Sequence, residues 1–224
     1  MDIILDQRAI RILGALIEKE ITTPDYYPMS LNGLVNACNQ KSNRDPVMQL
    51  TEAQVMEKID ELKDRRLVWQ RSVVGARVSK FEHNLRSFFP LSDRETGVLT
   101  VLMLRGPQTV GEIRQRSERL CTFDRLEDVE KAIRGLMTRE DGPFIAELPR
   151  QPGRKEPRFI HLFAGNAYVE EVIAAGEHGE VSDSSGGAPS RSDRLGELEN
   201  AVAALQEELS TLREEFHSFR KMLE

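Results

Sequence analysis

Little of what most active sites are built from is present. The 224 residues hold two cysteines, Cys38 and Cys121, and four histidines. Each cysteine lies in or beside an apolar helical pattern, so the expectation is a reduced, buried thiol and not a disulfide framework. His83, His161, His178 and His217 are scattered, and none stands at metal-ligand spacing from another His or Cys. His83 and His161 read as ordinary strand or surface residues. There is no Gly-rich phosphate loop and no nucleophile elbow. These absences argue against an enzyme and predict no cofactor and no metal, although a site assembled only in space would escape such a reading. No apolar run is long enough to span a bilayer, the longest being near 97–104. The opening Met1-Asp2-Ile3-Ile4-Leu5-Asp6 lacks the basic stretch and long apolar core of a signal peptide, so a cytoplasmic protein with no membrane partner is expected.

A strongly basic face is also missing. Net charge is −6. Residues 1–165 carry 26 basic and 24 acidic side chains, or +2, and residues 166–224 carry 5 and 13, or −8. The acidity therefore belongs to the tail, and it does not by itself exclude nucleic acid as a partner of the rest.

What is present is an internal repeat. Each copy opens with an amphipathic helix. Ile10, Leu13, Leu16 and Ile17 follow Asp6 as cap, and Val98, Leu99, Leu102 and Met103 follow a capping box at Ser92-Asp93-Arg94-Glu95. A shorter helix comes next, marked by Leu31, Leu34 and Val35 after Ser30, and by Val110 and Ile113 after Thr109 with Glu112. A third helix carries Val55, Ile59 and Leu62 behind Thr51-Glu52-Ala53-Gln54. Its counterpart carries Val129, Ile133 and Leu136, with the cap expected at Asp124, and these apolar positions share an offset of 74. Each third helix gives way to a hairpin, 67–81 with a turn at Gly75-Ala76, and 144–163 with a Pro-, Gly- and Arg-rich turn at 149–157. Three helices and a hairpin make a winged helix. The predicted fold is thus mainly α with small β-hairpins: winged-helix domains over 1–88 and 89–175, the second closed by a short helix at 166–175.

Residues 176–192 hold four glycines, five serines and a proline without apolar period, and read as a flexible linker. Beyond it Leu195, Leu198, Val202, Leu205, Leu209, Leu212, Phe216, Phe219 and Leu223 alternate in steps of 3 and 4, so 193–224 reads as a coiled coil. In a parallel pair the flanks bring together Arg194–Glu199, Ala201–Gln206, Glu208–Arg213 and Glu215–Arg220, and none of these is repulsive. Self-association as a homodimer is expected. Leucine at the a position and the two phenylalanines leave a trimer open, and docking on the body or on another protein is the alternative.

The segment Ile21-Thr22-Thr23-Pro24-Asp25-Tyr26-Tyr27-Pro28-Met29-Ser30-Leu31-Asn32, with Ala37-Cys38-Asn39-Gln40-Lys41-Ser42-Asn43-Arg44-Asp45-Pro46-Val47, resembles the signature of the YceH-like family of bacterial proteins. The resemblance runs from about residue 5 to 165. It implies a tandem winged helix, which agrees with the repeat, and it brings no activity, cofactor or catalytic residue.

Two uses fit this organisation. One is binding of double-stranded DNA as a dimer, as a transcription regulator does. Asn39, Gln40, Lys41, Asn43 and Arg44 form a donor-rich loop before the third helix, which itself carries Lys58. Arg71, Arg77 and Lys80 decorate the first hairpin, and Arg150, Arg154, Lys155 and Arg158 the second. Against it, Glu52, Glu57, Asp60, Glu61 and Asp64 crowd the first recognition helix, Glu127, Asp128 and Glu130 open the second, and such acids would meet phosphates. The bland account of the loop is local capping, with Arg44 paired to an acid of the third helix. The alternative use is a protein–protein adaptor, with Tyr26, Tyr27 and Pro28 as anchors or simply packed on the domain.

Overall fold

Capping side chains start most helices where the sequence places them. The computed structural model describes residues 3–71, 78–150 and 156–178. Asp6 accepts the Ala9 N–H at 2.8 Å and opens α1 (Gln7–Thr22), whose Ile10, Leu13, Leu16 and Ile17 are fully buried. Ser30 caps α2 (Leu31–Cys38). A reciprocal Thr51–Gln54 capping box opens α3 (Glu52–Asp64). Strands β2 (Val68–Arg71) and β3 (Lys80–His83) follow as an antiparallel pair with Trp69 opposite Glu82. The expected turn at Gly75-Ala76 lies outside the described residues.

A short helix, α4 (Leu85–Phe88), leads to the second copy. Ser92 and Glu95 box the start of α5 (Asp93–Arg105), and Thr109 and Glu112 that of α6 (Val110–Arg116). The cap expected at Asp124 is corrected: α7 (Leu126–Thr138) starts after Arg125, whose N–H donates to the Asp128 carboxylate at 3.3 Å. The Asp124 carboxylate lies 3.4 Å from the Arg94 guanidinium instead. Strands β4 (Ile145–Glu147) and β5 (Phe159–His161) pair antiparallel, and α8 (Gly165–His178) closes the body. The described chain is thus a mixed, mostly helical fold with two small antiparallel sheets. Because α8 runs through Gly176, the predicted linker loses its first three residues to helix. Its remainder and the heptad segment lie outside the described residues.

Periodicity did not foresee two features. Strand β1 (Met29–Ser30) adds to the free edge of β3, giving the order β1-β3-β2. Its counterpart in the second copy is one residue long, with Gln108 and Phe159 exchanging backbone hydrogen bonds of 3.0 and 2.8 Å. Two-residue pairings are too short to show alternation.

The copies share one apolar core. Helices α1 and α5 pack together at its centre. A Cβ on Gly14 would stand 3.0 Å from the Leu104 side chain, so glycine lets the two helices approach. The Leu5 N–H also donates to the Phe163 carbonyl at 2.7 Å, tying the segment before α1 to the stretch between β5 and α8.

Candidate nucleic-acid interface

The donor-rich loop between α2 and α3 is anchored on the body by Asn39 and Arg44. Asn39 exchanges two hydrogen bonds with the Leu50 backbone (2.7 and 2.8 Å) and closes the loop on itself. Arg44 is 5% exposed. Its guanidinium grips both carboxylate oxygens of Glu18 on α1 (2.6 and 3.1 Å) and donates to the carbonyls of Ala37 (3.0 Å) and Asn43 (2.8 Å). Burial pushes the Glu18 carboxyl up, but the Arg44 hydrogen bonds and charge, aided by Lys19, outweigh it and hold Glu18 below the usual carboxylate range. Arg11, also buried, donates to the carbonyls of Cys38 (3.2 Å) and Pro46 (2.7 Å). From the second copy, the Leu104 carbonyl accepts the Asp45 N–H at 2.9 Å, and Arg105 donates to the Asn43 side chain. Arg44 and Asn39 are therefore corrected from ligand contacts to structural ties: a guanidinium with no exposed surface cannot meet a phosphate, and the Asn39 amide is taken up by the Leu50 backbone. The partner of Arg44 is an acid of α1, not of α3. Gln40 is half-buried, and Asn43 and Lys41 are exposed.

The other candidate cations divide. Lys58 sits between Asp6 (2.7 Å) and Glu61 (2.9 Å), and hydrogen bonds to both hold its ammonium charged well above the usual lysine range. It is neutralised within the fold and drops out as a free donor. Arg71 pairs across the hairpin with Glu82 at 2.7 Å but remains largely exposed, and Lys80 is half-buried on β3. Arg158 reaches Glu112 at 3.3 Å and the Pro107 carbonyl at 3.3 Å. Arg150 is exposed, while Arg77, Arg154 and Lys155 lie outside the described residues.

The two third helices present different faces to solvent. On α3 the outward stripe is Ala53, Glu57, Asp60 and Asp64; at the same offset of 74, α7 presents Glu127, Lys131, Arg134 and Thr138. Arg134 has an exposed pairing with Glu130 at 3.5 Å, which holds it weakly. Arg114, Gln115, Arg119 and Arg125 are exposed on α6 and the loop leading into α7. None of these six donors was among the sequence candidates. The signal was available: the offset that aligns the apolar positions, applied to the polar ones, exposes the inversion of charge.

A cleft of about 500 Å³ opens between α6 and the start of α7, with Arg114, Gln115, Glu118, Phe123 and Leu126 in its walls. Behind it, Gly97 of α5 admits Cys121, whose sulfur would stand 2.5 Å from a Cβ there. Both cysteines are free thiols. Burial raises Cys38 to about 12 and Cys121 above its usual value, so neither is a ready thiolate at neutral pH. Tyr27 is a packing residue, its hydroxyl accepting the His83 N–H at 2.7 Å, while Tyr26 is 78% exposed. His83 and His161 are strand residues, and both are buried. Among the described residues, no cluster of three His, Cys, Asp or Glu is arranged to hold a metal, and no helix is long and apolar enough to cross a membrane.

The family model described as "Protein of unknown function, DUF480" matches residues 5–154. The chain is 42% identical over 218 residues to a UPF0502 protein of Photobacterium profundum, covering 96% of this chain and 97% of the relative. It is 45% identical over 212 residues to one of Vibrio parahaemolyticus, covering 93% and 94%. A UPF0502 protein of a Janthinobacterium species is 45% identical over 222 residues, covering 99% and 92%. With one family model spanning most of the folded body and relatives matching nearly end to end, the chain belongs to the DUF480 family of bacterial UPF0502 proteins, the YceH-like group that its 21–47 motif resembles.

Proposed function

We propose that the chain is a non-enzymatic, cytoplasmic tandem winged-helix protein that binds duplex DNA through its second module, and that its heptad segment pairs two copies. The element order supports the winged-helix reading. In each copy, three helices precede a hairpin, and a short segment ahead of the second helix pairs with the hairpin's return strand.

One observation carries the choice of module. At matched positions the third helix offers Glu57 and Asp60 in the first copy, and Lys131 and Arg134 in the second. Phosphate neutralisation drives DNA association, so acids on a groove-facing stripe oppose it and cations promote it. The second hairpin adds exposed Arg150. The first copy is left as a scaffold, its helix–helix loop bonded to the second copy.

The test is fluorescence anisotropy of the full chain with a mixed duplex pool across a salt series. The double variant Lys131→Ala/Arg134→Ala should bind more weakly, with a log–log salt slope shallower by roughly 2. Glu57→Ala/Asp60→Ala on α3 should leave the slope as it is. An unchanged slope in the α7 variant overturns the assignment of the module. The second reading, a protein–protein adaptor, is favoured by the acidic stripe of α3, and saturable binding that fails even at low salt would turn the balance to it.

A further inference from the structure

Leu126 is the first residue of α7 and is 41% exposed, whereas Val129, Ile133 and Leu136 on the same helix are almost wholly buried. The core does not account for it, and the matched position on α3 is the acid Glu52. Leu126 shares the cleft with Arg114, Gln115 and Glu118 of α6 and its C-terminal extension. An apolar group therefore stands in one recess with two donors and an acceptor.

We infer that this cleft reads a thymine–adenine pair in the major groove, with Leu126 as the specificity-determining residue for the thymine 5-methyl group; the inference rests on DNA being the ligand of the second module. In helix-turn-helix docking, the first residues of the recognition helix meet base edges. A thymine presents a methyl beside the O4 acceptor, and its partner adenine presents an amino donor. Leu126 matches the methyl, Gln115 or Arg114 the O4, and Glu118 the amino group. No other base pair offers an apolar group at that edge. Removing the methyl removes roughly one buried carbon from the contact, which predicts a three- to fivefold loss of affinity.

The experiment uses the full chain and a duplex selected by it from a randomised pool. It is compared with twin duplexes in which uracil replaces thymine one position at a time, a change that deletes only the methyl. Wild type should bind the thymine duplex about three- to fivefold more tightly than one of the twins. Leu126→Ala, at an exposed position, should retain salt-sensitive binding and lose that difference, and Leu126→Met should keep part of it. Equal affinity of wild type for thymine and every uracil twin overturns the inference, as does discrimination that survives in Leu126→Ala. In both cases salt-sensitive binding persists and the DNA reading stands. Absence of saturable binding to any duplex overturns the inference and that reading together.

Discussion

His161 is 1% exposed on β5, its ring stacked on Tyr168 of α8 at a centroid distance of 5.7 Å, and its Nδ1 has no hydrogen-bond partner among the described residues. Burial lowers its pKa to about 4, against about 6.5 for a solvated imidazole. Between those two values the unfolded chain takes up a proton that the native state refuses. Stability is therefore unaffected above the unfolded pKa and falls as pH drops from about 6.5 to about 4, by on the order of 3 kcal/mol. His161→Phe keeps the ring and should flatten this part of the acid limb in urea unfolding followed against pH. Parallel limbs for the variant and wild type would mean that the imidazole is solvated. The sequence placed His161 in a strand correctly, but alternation in a three-residue strand, here buried at all three positions, cannot say which side chains are covered.

Among the elements, the helices were the most legible, because caps and apolar stripes are local signals. Ser92–Glu95, Thr51–Gln54 and Thr109–Glu112 all form the boxes their spacing predicts. Asp124 failed as a cap because a partner distant in sequence, Arg94, competes for its carboxylate. The loop between α2 and α3 was illegible for the same reason. Its Asn, Lys and Arg content suits a groove, yet Glu18, Leu104 and Arg105, distant in sequence, claim it. That loop should act as a clamp. The Arg44 side chain has no exposed surface and that of Glu18 only 13%, so Arg44→Ala strands a nearly buried carboxylate. The expected cost is about 3–5 kcal/mol in urea unfolding, and Arg44→Met paired with Glu18→Met should cost much less, since it removes both charges. If Arg44→Ala instead weakened DNA binding without lowering stability, the loop would return to the interface.

At the scale of the whole molecule, a single core joins both copies, so the asymmetry between α3 and α7 is presented by one body. A lone winged helix makes few phosphate contacts, and the near-neutral charge of residues 1–165 limits what one copy of the chain gains. On the proposed reading, pairing through the heptads from Leu195 to Leu223 would offer the missing factor. Pairing two chains makes the second contact intramolecular and raises affinity by avidity with no new surface. Removal of 193–224 should thus do two separable things. By light scattering the mass should fall to that of a monomer. By anisotropy, affinity for a duplex carrying two copies of the selected site should drop by about 10²-fold or more, while affinity for a single site changes little. An unchanged mass would refute the heptad pairing. A monomer that binds both duplexes as the full chain does would show that pairing serves something other than DNA, and would shift the heptads toward the adaptor reading.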